Sequence, residues 1–165
     1  MPTSDSTANI PQKVICVRIT PKCNMSCSWC CAAKGRSNTE LDIPWTESTM
    51  ERLFDYYKKE KESIFSLTFS GGEPLLEYQR ITEIIKTIRG IDAATGKNTY
   101  FLIHTNISLL TPEMRDFFNE NDVTINLSVK TKGEKGLQNL VKKARVGADI
   151  FSLIRTLKRY TVRYV

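Results

Sequence analysis

The sequence feature that most limits the fold is a regular alternation between short β-rich runs and longer segments of helical periodicity, beginning near residue 13. The strand candidates are Val14 to Thr20, Ile64 to Phe69, Thr99 to His104, Val123 to Val129 and Tyr160 to Val165. The helical candidates are Trp45 to Glu62, the stretch from Tyr78 to Gly90, the stretch after Pro112, and Ala148 to Arg159. Such alternation is typical of repeated βα units around a parallel sheet, so we expect an α/β fold.

Local signals predict where these helices begin and end. Ser48 with Glu51 has the spacing of a capping box, and Gly90 is a plausible stop for the second helix. Thr111 and Pro112 have the residue types of a helix cap and a first helical position. The fourth strand alternates strictly, so its polar residues share one face, which would point inward in a nearly closed sheet. These polar residues are Thr124, Asn126 and Ser128.

All five cysteines lie near the amino terminus, at positions 16, 23, 27, 30 and 31. This crowding, with an odd number of thiols, favours metal binding over disulfides. The spacing of Cys23, Cys27 and Cys30 is C-x3-C-x2-C, in a loop that follows the first predicted strand. Three ligands leave one iron of a 4Fe-4S cluster open to a substrate or cofactor, whereas electron carriers normally use four cysteines.

This cysteine run resembles the signature of the radical S-adenosylmethionine (radical SAM) superfamily. The segment from Ser70 to Leu76, SGGEPLL, resembles the glycine-glycine-glutamate motif of the same superfamily at the end of its second strand. Thr105 and Asn106 resemble the pair that closes its third strand. The resemblance implies a partial parallel (β/α) barrel, a three-quarter TIM barrel, over residues 13–165 and cut short after about five strands. Residues 1–12, polar and with two prolines, are expected to form a disordered tail.

The resemblance also implies roles for particular residues. Cys23, Cys27 and Cys30 match the three ligands of the 4Fe-4S cluster, whose fourth iron would be chelated by the methionine moiety of S-adenosylmethionine. Gly71, Gly72 and Glu73 match the motif that receives the amino group of that moiety.

Three further cofactor contacts are implied in the same way. Trp29 matches the aromatic position beside the adenine, and Ser128 resembles the polar residue that contacts the ribose. Arg145 lies where peptide-modifying members often have an arginine that faces the methionine carboxylate. Glycines let backbone groups approach a ligand closely, and charged groups such as Glu73 and Arg145 would complement an ammonium and a carboxylate.

By resemblance, the chain is a radical SAM enzyme domain that cleaves S-adenosylmethionine reductively to a 5′-deoxyadenosyl radical for hydrogen abstraction. The motifs look most like those of peptide-modifying and protein-modifying members, such as sulfatase maturases. A peptide or protein substrate is therefore implied, with an electron donor such as flavodoxin or ferredoxin. Two alternatives remain: an activase for a glycyl-radical enzyme, and a fragment that binds a cluster but is inactive.

Other interpretations stay open for single residues. Ile107 stands where the family commonly has glycine, and Val129 follows Ser128 where an Asp-Gly pair is common. The cysteines could bind zinc, although structural zinc normally takes two separated pairs. Cys31 could replace Cys30, and Cys16 fits a packing role on the first strand. His104, the sole histidine, fits a structural role at a strand end better than that of a catalytic base.

Composition limits the partners. The formal net charge of +6 would attract anions, but no aromatic-interleaved basic motif accompanies it, so we expect a solvated basic face rather than a nucleic-acid site. The sequence contains neither a signal-peptide pattern nor a long apolar run. We therefore expect no membrane association and a cytoplasmic location.

Overall fold

The structure is a computed structural model that describes residues 10–28, 30, 45–129 and 150–164. Within these residues, five strands form one sheet in the order β1-β2-β3-β4-β5, and every neighbouring pair is parallel. The strands are β1 (Lys13–Thr20), β2 (Ile64–Gly71), β3 (Asn98–Thr105), β4 (Thr124–Val129) and β5 (Tyr160–Tyr164). The α/β class and all five strand positions expected from the sequence are confirmed.

Four helices and one 3-10 turn connect the strands in the described chain. The helices are α1 (Glu47–Lys59), α2 (Tyr78–Thr95), α3 (Pro112–Glu120) and α4 (Ile150–Arg155), and the 3-10 turn is Pro74–Glu77. Because every neighbouring pair of strands is parallel, every strand starts at the same edge of the sheet. All carboxyl ends of the strands therefore lie at the opposite edge.

Two predicted helix boundaries are wrong. The cap of α1 is Thr46, whose side chain accepts a hydrogen bond from the Thr49 amide, rather than the Ser48–Glu51 pair. Helix α2 continues through Gly90 and ends at Gly96, whose left-handed conformation (φ 71°) and bond to the Asp92 carbonyl close the helix. Gly90 is solvent-exposed within the helix, where packing of the apolar stripe outweighs the low helix propensity of glycine.

The two faces of the sheet differ in chemistry. On one face, the buried isoleucines of α2 share a hydrophobic core with Phe65, Leu67 and Phe69 of β2 and with Ile125 and Leu127 of β4. The opposite face, which we call the polar face, is formed by the even-numbered positions of β1 to β4 and by the odd-numbered positions of β5, which pair with even-numbered residues of β4. Its carboxyl-terminal half includes Arg18 of β1, Ser70 of β2, His104 of β3, Asn126 and Ser128 of β4, and Arg163 of β5. The polar alternation expected for the fourth strand is thus observed, and polar residues of the neighbouring strands lie beside it on the same face.

The described chain already pairs with the sheet at Gln12, inside the segment expected to be disordered. Its amide donates to the Ile64 carbonyl (2.9 Å), and its side-chain oxygen accepts from the amides of Ser63 (3.0 Å) and Ile64 (3.2 Å). Residues 1–9 of the predicted tail lie outside the described residues. None of the described helices combines the length and apolar character that a bilayer span requires.

A buried polar cluster joins α1, α2 and β3 at the amino-terminal edge of the sheet. The Tyr57 hydroxyl, which is fully buried, donates to Asp92 Oδ1 and lies 2.7 Å from Thr99 Oγ1. Thr99 also donates to Asp92 Oδ1 (3.2 Å), and Arg89 Nη1 lies 3.8 Å from Oδ2. Burial, with help from the neighbouring Asp92 carboxylate, raises the pKa of the Tyr57 hydroxyl, so it stays a hydrogen-bond donor at physiological pH.

Replacing Tyr57 with Phe would remove a donor from the buried Asp92 carboxylate. We expect Y57F to lower the free energy of unfolding by about 1–3 kcal/mol, the cost of leaving a buried acceptor with one partner fewer. Urea unfolding followed by circular dichroism measures this change. Y160F, at a tyrosine that is 47% exposed, removes the same hydroxyl from the surface and should change stability by less than about 0.5 kcal/mol. Equal effects of the two substitutions would contradict a structural role for the cluster.

Candidate functional site

The loop after β1 carries the predicted cluster ligands. Cys23, Cys27 and Cys30 are partly buried, and no described cysteine forms a disulfide. The Met25 amide donates to Cys23 Sγ (3.4 Å), and the Cys30 amide donates to the Cys27 carbonyl (3.2 Å). Among the described residues, no three His, Cys, Asp or Glu side chains lie close enough together to hold a metal ion.

The structure nevertheless provides a fitting donor set for an iron-sulfur cluster. The three thiols share one short loop and are only partly buried. The Met25 amide already points at the sulfur of Cys23, and the Cys30 amide closes the turn at Cys27. Amide donors to thiolates are a usual feature of protein-bound clusters, whose potentials they tune. Trp29 and Cys31 lie outside the described residues.

The turn after β2 is pressed against the start of the cysteine loop. A Cβ on Gly71 would lie 2.1 Å from the Thr20 carbonyl oxygen, and one on Gly72 would lie 2.0 Å from the Lys22 carbonyl oxygen. Gly71 also has a φ of +136°, which residues with a side chain rarely adopt. The Gly72 amide donates to Thr20 (2.7 Å) and the Glu73 amide donates to Lys22 (2.8 Å). Both glycines are therefore required for the contact between the two loops.

Glu73 ties the ends of β2 and β3 together from inside the protein. Its side chain is fully buried. Oε1 accepts hydrogen bonds from Thr105 Oγ1 (2.6 Å) and the Leu75 amide (3.0 Å), and Oε2 accepts one from the Asn106 amide (2.8 Å). Burial raises the pKa of the Glu73 carboxyl, and these hydrogen bonds oppose the shift only in part. The carboxylate thus already has three protein donors.

Asn106 extends the same connection to the cysteine loop. Its Nδ2 donates to Asn24 Oδ1 (3.0 Å) and lies 4.0 Å from Cys23 Sγ. Asn24 Nδ2 donates in turn to Ser108 Oγ (2.8 Å). A chain of hydrogen bonds therefore runs from the buried Glu73 through the loop after β3 to the first cysteine. The sequence contained a signal for this link, the Thr105-Asn106 pair, but not its connection to Asn24.

Ile107 adopts the backbone conformation expected of glycine at its position. Its φ is 60°, and its side chain is buried at 1% exposure. Its amide donates to Thr105 Oγ1 (2.8 Å), and its carbonyl accepts from the Leu110 amide (3.0 Å). A β-branched residue in this region is strained by about 1–3 kcal/mol. Ile107 therefore holds a left-handed conformation that glycine would adopt without strain.

The remaining predicted site residues lie farther along the polar edge. Ser128 is half-buried on β4 and pairs in register with Arg163 of β5. His104 is half-buried on β3 beside Asn126 of β4, and burial, together with the positive charge of Arg163, lowers its pKa. Arg145 lies outside the described residues. Nothing in the sequence had marked Arg163 or Asn126 as site residues.

The sequence was compared with protein-family models and with curated proteins. A model described as the radical SAM superfamily matches residues 17–165. The radical SAM cyclopropyl synthase TigE of Paramaledivibacter caminithermalis is 27% identical over 128 residues, covering 70% of this chain and 26% of TigE. A cysteine-type anaerobic sulfatase-maturating enzyme of Clostridium novyi is 24% identical over 159 residues, covering 86% of this chain and 39% of that enzyme.

Solved structures with the same fold include anSMEcpe with bound AdoMet. One such structure has a TM-score of 0.71 at 18% identity and covers 91% of this chain and 42% of its own. Another, with a bound peptide as well, has a TM-score of 0.68 at 18% identity with the same coverage. The chain thus spans less than half the length of each of these proteins. The partial (β/α) barrel expected from the sequence is confirmed by this likeness.

The contact between the two loops makes Gly72 a sensitive position. We expect G72A to destabilise the fold by about 3 kcal/mol, because the added methyl meets two backbone carbonyl groups that cannot rotate away. Urea unfolding measures the loss. G90A is the matched control, because a Cβ there meets nothing within 4 Å, and it should be stabilising by about 0.5–1 kcal/mol. Similar stabilities of G72A and the unsubstituted protein would contradict the contact.

The buried Glu73 predicts a specific pH dependence. Because folding raises the pKa of this carboxyl above its ordinary value of 4.5, the folded chain holds the proton more tightly than the unfolded chain. The stability of the natural protein relative to E73Q should therefore be greatest below pH 4.5 and fall as the pH rises through the raised pKa. Urea unfolding of both proteins at several pH values measures the difference.

E83Q removes an exposed carboxylate of α2 and serves as the control. We expect the difference in stability between the natural protein and E83Q to stay nearly constant over the same pH range. A difference between the natural protein and E73Q that stays constant from acid to neutral pH would show that Glu73 titrates alike in the folded and unfolded chains.

Proposed function

The chain belongs to the radical SAM superfamily, whose members need a 4Fe-4S cluster and S-adenosylmethionine, and we propose that it forms the radical-generating part of such an enzyme. The observation that carries this proposal is the direct hydrogen bonding between the cysteine loop and the Gly-Gly-Glu turn. The two predicted cofactor-binding segments are distant in sequence, yet they meet at one edge of the sheet. When bound, the reduced cluster and S-adenosylmethionine supply a 5′-deoxyadenosyl radical that abstracts a hydrogen atom from the substrate.

Each segment has a proposed task in holding these cofactors. Cys23, Cys27 and Cys30 would hold the cluster, and with three protein ligands one iron would stay available for the methionine moiety of S-adenosylmethionine. The turn from Gly71 to Glu73 offers backbone carbonyls to its amino group. Because three protein donors already occupy the Glu73 carboxylate, its proposed task is to fix the turn rather than to bind the ammonium directly.

The remaining cofactor contacts follow the family resemblance. We propose Trp29 for the adenine, Ser128 for the ribose and Arg145 for the methionine carboxylate. Ser128 is supported by its place near the carboxyl end of β4, on the same sheet edge as the cysteine loop. The positions of Trp29 and Arg145 lie outside the described residues, so their support is the sequence pattern alone.

We propose a peptide or protein as the substrate. The support is the likeness to an anaerobic sulfatase-maturating enzyme in sequence and to anSMEcpe, which has been solved with a peptide, in fold. The electron for the cluster would come from a donor of the flavodoxin or ferredoxin kind. The chain spans 39% of the length of the sulfatase-maturating enzyme.

Anaerobic reconstitution with iron and sulfide tests the proposal. We expect about four irons per chain, and cleavage of S-adenosylmethionine to 5′-deoxyadenosine when the cluster is reduced with dithionite. C27A should lose both the iron and the cleavage, because two thiols from this loop hold the cluster too weakly. Iron analysis and chromatography of the nucleoside products measure the two outcomes.

C16A provides the matched control, since Cys16 lies exposed on β1 outside the cysteine loop and should retain iron and cleavage. Retention of the cluster and of cleavage in C27A would refute the assignment of the three ligands. A zinc content near one per chain, with no iron bound after reconstitution, would favour the zinc interpretation instead.

A further inference from the structure

The polar face carries positive charge that the cofactor assignments leave unused. At the described positions of this face the charged residues are Arg18 and Arg163, and no Asp or Glu occurs among them. Neither arginine forms an ion pair with a described residue. An uncompensated guanidinium beside a reaction site favours an anionic ligand, most strongly a carboxylate that it can bind in bidentate geometry.

Three side chains gather at one end of this face, near the carboxyl ends of β3, β4 and β5. His104 pairs in register with Asn126, and Arg163 pairs with Ser128, which is two residues beyond Asn126 on the same face. Neighbouring strands lie about 4.8 Å apart, so these side chains are neighbours. Burial lowers the pKa of His104 and the positive charge of Arg163 adds to this shift, which agrees with this placement.

Asn126 contributes an unmet hydrogen-bonding group. Its Oδ1 is buried and has no hydrogen-bond partner within the described part of the chain. Buried acceptors in folded proteins are nearly always satisfied, so this oxygen is open to a donor from outside the described residues, such as a ligand. A side-chain amide offers one acceptor and two donors, which matches the N–H and C=O of a peptide group.

We propose that His104, Asn126 and Arg163, the polar-face cluster, bind an acidic residue of the peptide substrate. Arg163 binds the carboxylate, and Asn126 Oδ1 accepts a hydrogen bond from a backbone N–H of the same peptide segment. The neutral imidazole of His104 offers one further donor and one further acceptor. This specificity rests on the proposed function, because it assumes a peptide substrate beside the radical source. The assignments of Ser128 to the ribose and Arg145 to the methionine carboxylate leave the cluster available for the substrate.

The test measures peptide binding separately from cofactor cleavage. The protein is reconstituted anaerobically, saturated with S-adenosylmethionine and titrated calorimetrically with capped pentapeptides, Gly-Ala-X-Ala-Gly, in which X is Glu, Gln or Lys. We expect the Glu peptide to bind roughly tenfold more tightly than the Gln and Lys peptides, as a charge-assisted bidentate contact would give. R163Q should abolish the preference, and R163E should reverse it in favour of Lys.

R155Q is the matched control, because it removes the same charge from an exposed arginine in the last turn of α4 and should keep the preference for Glu. N126L should weaken the binding of all three peptides by a similar factor, since it removes the contact with the peptide backbone and leaves the charge of Arg163. Circular dichroism confirms that the variants fold, and R163K, which keeps the charge at this exposed position, should retain part of the preference.

Three results would overturn the proposal: no preference among the peptides, an unchanged preference in R163Q, or a loss of S-adenosylmethionine affinity in R163Q that matches the loss of peptide binding. The last result would place Arg163 at the cofactor. Failure of the proposed function can be told apart from failure of this proposal. If S-adenosylmethionine were not cleaved, calorimetry would still show whether the Glu peptide binds more tightly than the others.

Discussion

The buried carboxylate of Glu73 is the interaction on which the candidate site depends. It accepts hydrogen bonds from the 3-10 turn that follows β2 and from two residues at the end of β3, so it fixes the relative positions of two strand ends. A carboxylate is costly to bury, and the cost is reduced in part here because a hydrogen bond to an ionised acceptor is stronger than a neutral one. Glu73, which its motif alone would assign to cofactor binding, therefore fixes the ends of β2 and β3 relative to each other.

The loops around this carboxylate behave as one unit because they are joined by backbone contacts. The two glycines bring the turn within hydrogen-bonding distance of Thr20 and Lys22, and Asn106 joins the loop after β3 to Asn24. Parallel strands place all of these loops at one edge, but the sheet alone does not bring them into contact. The contact requires that two successive residues have no side chain, which explains the pair of glycines in physical terms.

Much of this architecture could be predicted from the sequence. Alternation and helical periodicity located all five strands, because apolar runs that face one core have a period that the sequence displays directly. The cap of α3 at Thr111 was equally predictable from local chemistry, and it is confirmed by the bond from the Met114 amide. The end of α2 could not be predicted in this way, because tertiary packing of its apolar stripe stabilises the helix beyond Gly90. The network around Asn24 and the pairing of His104 with Asn126 depend on strand register, which no single segment encodes.

Ile107 has a consequence for how such chains are recognised. Burying an isoleucine side chain contributes about 1.5–3 kcal/mol, which is close to the strain of about 1–3 kcal/mol that its left-handed backbone stores. The burial of the side chain therefore offsets the backbone strain, so isoleucine can occupy a corner where glycine would be the ordinary residue. A consensus pattern that demands glycine there would reject chains whose backbones satisfy it, and searches for relatives gain by scoring the φ angle in place of the letter.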